Sequence, residues 1–210
     1  MISLSEILHT IAQALMIPCL IILIILMAGA VWQIGDIVVE YIAERRKHKC
    51  NVPQLLRDVH AAGADGLAEL IENSGLLRRQ KKALLELAES RGLPKDTLTA
   101  LAERLLATEE ARNARTISIT DMIAKLGPMF GLLGTLIPLG PGIVALGQGD
   151  TVTLSESMNV AFDTTIAGVI SAAVASVISH IRKRWYNDDM VSLETLMEAV
   201  LEEVTADVEG

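Results

Sequence analysis

The sequence is poor in the residues that enzymes and nucleic-acid-binding proteins use most. Only 3% of the residues are aromatic, so little surface is available for stacking on bases. The net charge is −8, whereas nucleic-acid-binding proteins carry basic surfaces. The chain lacks a Walker-type phosphate-binding loop, an HExxH motif and a GxSxG motif. We therefore expect a protein that is not an enzyme, binds no nucleic acid and needs no cofactor.

Cysteine is equally scarce. The chain contains two cysteines, Cys19 and Cys50, and no CxxC motif, which argues against a disulfide framework. A metal site could be imagined from Cys50, His48 and His60. A chance cluster is the favoured interpretation, so the sequence predicts no metal.

Hydrophobic residues, in contrast, make up 51% of the chain and are concentrated in three long blocks. Residues 7–35 and 126–149 carry no charge. Each is long enough to cross a hydrocarbon core of about 30 Å at about 1.5 Å per residue. A third block, residues 157–181, is less hydrophobic and rich in small residues. The pattern predicts an all-α membrane protein with three transmembrane helices.

Pro18, the charged runs and the turn residues divide the chain into seven predicted segments. These are an N-terminal interfacial helix (1–16), transmembrane helix 1 (17–44), a helical cytoplasmic insert (45–120), transmembrane helix 2 (121–147), an outer turn (148–156), transmembrane helix 3 (157–181) and an acidic cytoplasmic tail helix (182–210). A cleaved signal peptide is the alternative for the first segment. It is disfavoured because the start lacks basic residues and the apolar stretch is too long.

Two basic clusters predict the orientation in the cell membrane. They lie at residues 45–49 and 180–185, whereas residues 147–157 contain no Lys or Arg. Because basic loops stay in the cytoplasm, we expect a multi-pass protein with its N-terminus outside and its C-terminus in the cytoplasm. Thr153 and Glu156 form a capping-box pattern, which predicts that the third membrane helix starts near Leu154.

The insert and the tail read as amphipathic helices. Breaks in the insert are predicted at residues 62–63, 73–75 and 91–94. A basic patch spans residues 78–82, for which a solvated helix face is favoured over a headgroup-binding or regulatory surface. The tail is acidic and has an apolar side. We hypothesise that it packs on the insert of the same or a neighbouring subunit.

Small residues mark the packing faces of the membrane helices. Gly127, Gly131 and Gly134 recur at helical spacing in the second helix, and Gly168 lies on a small-residue stripe in the third. Such residues let helix backbones approach closely in lipid. Residues 138–142 contain two prolines and two glycines, which predicts a kinked or loosened outer half of the second helix.

Polar residues within the membrane helices are the candidates for function. Thr135, Thr164 and Thr165 could line a pathway, or each could bond to a carbonyl of its own helix. Asp163 is costly in a membrane; it either handles ions or sits in a solvated outer mouth. Asp121 and Lys125 are four residues apart, could pair, and are weaker candidates at the inner mouth.

Two motifs carry a resemblance to a known family. GPMFGLLGTL, residues 127–136, resembles the second transmembrane helix of the MotA/TolQ/ExbB proton channel family. VAFDTTIAGVISAAVA, residues 160–175, is similar to its third. The chain departs from the family in the IPLGPG stretch after Thr135, and in having its acid at Asp163 where TolQ- and ExbB-type members have a glutamate near the position of Val160.

The resemblance implies a function. It implies a homo-oligomeric ring, a pentamer, around a single-transmembrane-helix partner of the ExbD/TolR/MotB type that carries a membrane aspartate. Thr135 and Thr165, with Thr164 and Asp163 as contributors, would line the path of a proton or a sodium ion. The flow would drive mechanical work, as in the family's motors for motility or protein transport. The alternative is a non-conducting membrane scaffold that anchors a protein complex.

Overall fold

A computed structural model describes residues 4–42 and 51–209. Within these ranges the chain forms six helices and no strand. The helices are α1 (Leu4–Ala14), α2 (Met16–Glu40), α3 (Val52–Asn73), α4 (Arg78–Glu89), α5 (Lys95–Gly147) and α6 (Thr151–Glu209). The basic cluster at residues 45–49, together with Cys50 and its suggested metal partner His48, lies outside the described residues.

Three stretches of helix are long and apolar enough to cross a membrane. They are Glu6–Glu40, Lys95–Gly147 and Thr151–Ala206. The predicted all-α fold with three candidate transmembrane helices is therefore confirmed, and the protein is a multi-pass membrane protein.

The chain divides into two compact units. The first, called here the membrane unit, comprises Met1–Ile37 and Ile117–Ile181, and the second, the insert–tail unit, comprises Val38–Thr116 and Arg182–Gly210. Helix α2 and the apolar parts of α5 and α6 form the membrane unit. Helices α3 and α4, the first part of α5 and the last part of α6 form the insert–tail unit.

Helix α6 begins at Thr151, three residues earlier than the capping-box pattern predicted. The cap is Asp150, whose Oδ1 accepts hydrogen bonds from the backbone N–H groups of Val152 and Thr153, each at 3.1 Å. The Thr153 hydroxyl donates to Asp150 Oδ2 at 2.5 Å. Asp150 is therefore the capping residue, and the Thr153 hydroxyl bonds to it instead of capping the helix itself. An aspartate suits this position because its carboxylate accepts hydrogen bonds from the first free N–H groups of a helix.

The proline- and glycine-rich stretch at residues 138–142 does not end helix α5, which continues to Gly147. Pro138 and Gly142 are buried, and a Cβ atom on Gly142 would lie 3.0 Å from the Ser157 Cβ. Packing against α6 thus holds in helical form a segment that would be weak on its own.

The insert–tail unit has a core built from leucine, valine and alanine side chains. The apolar side of the acidic tail fills this core together with α3, α4 and the start of α5. Its most deeply buried large side chains include Val59, Leu67, Ile71, Leu84, Leu87, Leu98, Leu193, Leu196, Met197, Val200 and Val204. The hypothesis that the tail packs on the insert therefore holds within one chain.

Breaks between and within the insert helices fall where the sequence predicted them. Gly63 has φ +62° and bends α3, a conformation that glycine adopts without strain. Ser74 follows the end of α3, and residues 90–94 separate α4 from α5. Gly92, with φ +97°, lies in the turn between α4 and α5.

Polar contacts add to the apolar core of the insert–tail unit. Gln80 is buried and donates from Nε2 to the Asp189 carbonyl at 3.0 Å. His60 Nδ1 lies 2.7 Å from Glu203 Oε1. Arg182, whose side chain is 6% exposed, bonds Glu40 at 3.3 Å, and the rings of Tyr41 and Trp185 stack with centroids 6.1 Å apart. These contacts join the tail to both the insert and the end of α2.

The buried face of the tail should contribute substantially to the stability of this unit. Leu196→Ala removes a side chain that is 1% exposed and should cost about 2–5 kcal/mol. Glu198→Ala, on the exposed face two residues away, is the matched control and should change stability little. Thermal unfolding of the detergent-solubilised protein measures both. Equal shifts for the two variants would contradict the packing.

The Asp150 cap should depend on pH. Hydrogen bonds from the Thr153 hydroxyl and the Thr153 backbone hold the pKa of Asp150 below its ordinary 3.8, with a smaller contribution from the Val152 N–H. A depressed folded-state pKa means that the cap stabilises α6 above the ordinary value and is lost as the pH falls through the lowered one. Carbon chemical shifts of residues 151–154 should show the first turn fraying in acid. Asp150→Asn should remove this pH dependence.

Candidate functional site

Helices α5 and α6 run antiparallel in the membrane unit and touch through glycine. A Cβ atom on Gly127 would lie 2.6 Å from the Gly168 carbonyl oxygen. One on Gly168 would lie 2.9 Å from the Gly131 Cα, and one on Gly134 2.6 Å from the Thr164 Cβ. No side chain fits at Gly127 or Gly168, so the helix backbones are in direct contact there, whereas Gly134 makes room for the Thr164 side chain.

Helix α2 covers one flank of this hairpin. The Cys19 thiol donates to the Phe130 carbonyl at 3.4 Å. A Cβ on Gly29 would lie 3.1 Å from the Ile123 Cδ1. Ala30 and Leu26 pack in one cluster with Ile123 and with Ala175 of α6. The three membrane helices therefore pack around a small apolar core.

Thr135 and Thr165 lie on the other flank of the hairpin. At about 100° per residue, Thr135 is about 140° around α5 from Phe130, which contacts α2. Thr165 is about 180° around α6 from Val174, which packs against the same core as α2. Thr165 also lies beside Gly131, whose Cβ would be 3.6 Å from its Cα. The two half-buried threonines thus share a face, called here the hydroxyl flank.

Each of these hydroxyl groups bonds to its own helix. Thr135 Oγ1 donates to the Leu132 carbonyl at 2.6 Å, and Thr165 Oγ1 donates to the Ala161 carbonyl at 3.0 Å. A hydroxyl oxygen that donates one hydrogen bond can still accept others. The hydroxyl flank can therefore receive a proton donor or coordinate a cation without first breaking a bond.

Thr164 has a different position from Thr165. It is 5% exposed and lies between the helices, against Gly134. Its hydroxyl donates to the Val160 and Ala161 carbonyls at 2.9 and 3.0 Å. Thr164 is a packing residue of the hairpin in this chain, beside the hydroxyl flank and not on it.

Asp163 is not brought together with the threonines. It precedes Thr165 by two residues, so its side chain lies about 160° around α6 from it. Asp163 is exposed in the single chain. The candidate set predicted from the sequence is therefore split between two faces of α6.

Asp121 accepts a hydrogen bond from the Ser179 hydroxyl across the hairpin. Asp121 is half-buried and Ser179 is buried, whereas Lys125 is exposed. The sequence did not predict this pairing, because the two residues are 58 positions apart. The antiparallel register that brings Gly127 to Gly168 also brings Asp121 to Ser179.

Sequence reasoning also missed Gln33 of α2. It is 5% exposed, and its Oε1 has no hydrogen-bond partner among the described residues. The sequence feature that could have drawn attention to Gln33 is a polar amide side chain within the otherwise uncharged stretch 7–35. Among the described residues, no three His, Cys, Asp or Glu side chains are grouped to hold a metal ion.

The two helices of the hairpin match the model of a known protein family. The model of the MotA/TolQ/ExbB proton channel family matches residues 70–195, which is more than half of the chain and includes both helices of the hairpin. No curated protein matches the chain.

Filling the glycine contact should separate α5 from α6. Gly168→Ala places a methyl group 2.5 Å from the Gly127 carbonyl oxygen and should cost about 1–3 kcal/mol as an overpacked contact. Gly35→Ala is the matched control, because nothing lies within 4 Å of its Cβ position. Thermal unfolding in detergent should separate the two variants. A Gly168→Ala protein as stable as the control would show that the backbones are not in contact.

Proposed function

Because the chain belongs to the MotA/TolQ/ExbB proton channel family, we propose that it is an ion-conducting stator subunit that couples proton flow to mechanical work. The observation that carries this proposal is the hydroxyl flank. Thr135 and Thr165 lie on the same side of the α5–α6 hairpin, which is the side that α2 leaves uncovered. A lipid-facing surface would gain nothing from two hydroxyl groups there.

A ring of copies would turn these flanks toward one axis. The family precedent suggests five copies around a partner with a single membrane helix and an ionisable aspartate. Helix α2, on the opposite flank, then faces the lipid. Its exposed apolar side chains, among them Ile17, Ile21, Ile24 and Ile25, suit that position.

The chemistry follows from the properties of a hydroxyl group. It donates and accepts hydrogen bonds without changing charge, so it can stabilise a partner carboxylate in both protonation states. Thr135 and Thr165 would hold the partner's carboxyl group while a proton arrives from one side and leaves to the other. The same oxygens could coordinate sodium in place of a proton.

The inner end of the hairpin suits proton release. Asp121, held by Ser179, and the exposed Lys125 belong to the inner mouth if the basic clusters lie in the cytoplasm. In that orientation the N-terminus is outside and the C-terminus is inside. Reporter fusions at the two ends would test the orientation.

A non-conducting scaffold is the second candidate function. Both threonine hydroxyls bond carbonyls of their own helices, as buried hydroxyls in structural membrane helices do. The scaffold would anchor a protein complex and need no ion flow. Measured ion flux separates the two functions.

The flux should depend on both hydroxyl groups together. In Thr135→Val with Thr165→Val each side chain keeps its shape and loses its hydroxyl. A loss of about 1 kcal/mol of stabilisation at each position would lower proton flux about tenfold or more. The measurement is dye-detected proton uptake by liposomes that contain the complex purified from its native membrane.

The control is Thr99→Val with Thr108→Val. These threonines make the same kind of bond to their own helix, to Lys95 at 3.0 Å and to Arg104 at 2.8 Å, but lie in the insert–tail unit. Assembly of both double variants is checked by mass measurement of the complex. Full flux in the Thr135 and Thr165 variant, with assembly intact, would overturn the ion route and favour the scaffold.

A further inference from the structure

Helix α4 begins with the basic patch, in which Arg78, Arg79 and Lys82 are exposed and Lys81 is half-buried. Lys81 donates from Nζ to the Glu72 carbonyl at 2.8 Å. None of the other three forms an ion pair within the part of the chain that the structure describes. The sequence favoured a solvated helix face for this patch. The contacts around it indicate a membrane surface instead.

Two contacts place the start of α4 beside the part of α6 that follows the third membrane stretch, 157–181. Gln80 donates from Nε2 to the Asp189 carbonyl at 3.0 Å. The Tyr186 hydroxyl, which hydrogen-bonds Glu40, also interacts electrostatically with Arg79. Tyr186 lies five residues beyond that stretch, which is about 7.5 Å along a helix. Because the headgroup layer is about 5–7 Å thick on each side of a bilayer, the basic patch begins at the edge of that layer.

Aromatic side chains mark the same level. The rings of Tyr41 and Trp185 stack with centroids 6.1 Å apart, and Tyr41 is 54% exposed. Tyrosine and tryptophan are enriched where a membrane meets water, because their rings are amphipathic. Lys183 and Arg184, which precede Trp185 on α6, are exposed as well. Basic and aromatic groups from three helix segments thus meet at one level of the insert–tail unit.

The basic patch does not stabilise α4 itself. The N-terminal end of a helix carries a partial positive charge, so cations in its first turn are unfavourable. Arg78 and Arg79 occupy that turn, which contains no acidic residue. The acidic residues of α4, Glu86 and Glu89, lie in its second half. A bound anion would relieve the repulsion at the start of the helix, and a bare solvated face would not.

We propose that the basic patch of α4 binds the headgroups of anionic phospholipids in the leaflet next to Tyr41 and Trp185. The guanidinium groups of Arg78 and Arg79 can each donate two hydrogen bonds to phosphate oxygens. Basic residues close to a membrane surface also attract anionic lipid over a Debye length. The bound headgroups tie the start of α4 to the membrane. The inference does not rest on ion conduction.

Electron paramagnetic resonance tests the depth of the patch. In a Cys19→Ala, Cys50→Ala background, a nitroxide label is placed on Arg79→Cys in nanodiscs that contain a lipid with a nickel-chelating headgroup. The nickel should relax this label strongly. The control label is on Glu198→Cys, which is exposed and lies nine residues, about 13.5 Å, farther along α6 than Asp189. Relaxation at position 79 that is no stronger than at position 198 would overturn the inference.

Lipid titration tests the binding. The full-length protein in detergent is titrated with phosphatidylglycerol or with phosphatidylcholine, and bound lipid is counted by native mass spectrometry. Arg78→Gln with Arg79→Gln should lower the affinity for phosphatidylglycerol about thirtyfold, as expected for two basic residues at an anionic surface. The affinity for phosphatidylcholine should not change.

The matched control removes the same charge elsewhere. Lys95→Gln with Arg104→Gln changes two exposed residues that precede the uncharged stretch 126–149 by at least 22 positions, about 33 Å of helix. This variant should bind phosphatidylglycerol like the unmodified protein. Thermal unfolding checks that both double variants remain folded.

Three results of the titration would overturn the inference. Unchanged phosphatidylglycerol affinity in the Arg78 and Arg79 variant would mean that the patch is a solvated face. An equal loss in the control variant would mean that net charge, and not the patch, sets the affinity. Inorganic phosphate that binds as tightly as the lipid at the same ionic strength would identify a soluble anion as the ligand.

Discussion

The close approach of α5 and α6 at their glycines is the constraint on which the membrane unit depends. Because Gly127, Gly131 and Gly168 have no side chains, the two backbones meet directly. That contact sets the register of the hairpin. The register in turn decides which polar residues are neighbours: it pairs Asp121 with Ser179, buries Thr164 against Gly134, and leaves Thr135 and Thr165 on one flank.

In lipid the hydrophobic effect contributes little to helix association, so close packing of the helices must stabilise it. The hairpin meets this requirement with small residues, and α2 adds a cluster around Leu26 and Ala30. The insert–tail unit uses the opposite strategy. Its stability comes from burying large side chains away from water, such as Leu84, Leu87 and Leu196. The membrane unit is thus stabilised by close packing in lipid, and the insert–tail unit by burial of apolar side chains away from water.

The polar groups of the membrane unit fall into separate classes once their positions are known. Thr135 and Thr165 share an uncovered flank, and Thr164 is a packing residue. Asp163 is exposed and lies on a different face of α6 from Thr165. Gln33 is buried with an unpartnered oxygen. From the sequence, Asp163 was grouped with Thr164 and Thr165 on one ion path, because the three residues are adjacent in the chain.

The sequence by itself determined the all-α class, the three membrane-crossing helices and the family, because long uncharged stretches and the GLLGT and TTIAG motifs are local patterns. It also located the breaks of the insert, where Gly63 and Gly92 take conformations that other residues avoid. Only the tertiary structure decided that helix α5 continues through Pro138 and Pro141, that Asp121 meets Ser179, and that Thr135 and Thr165 share a flank. These outcomes depend on contacts across the hairpin and on the rotation of each helix about its axis, which no local pattern specifies.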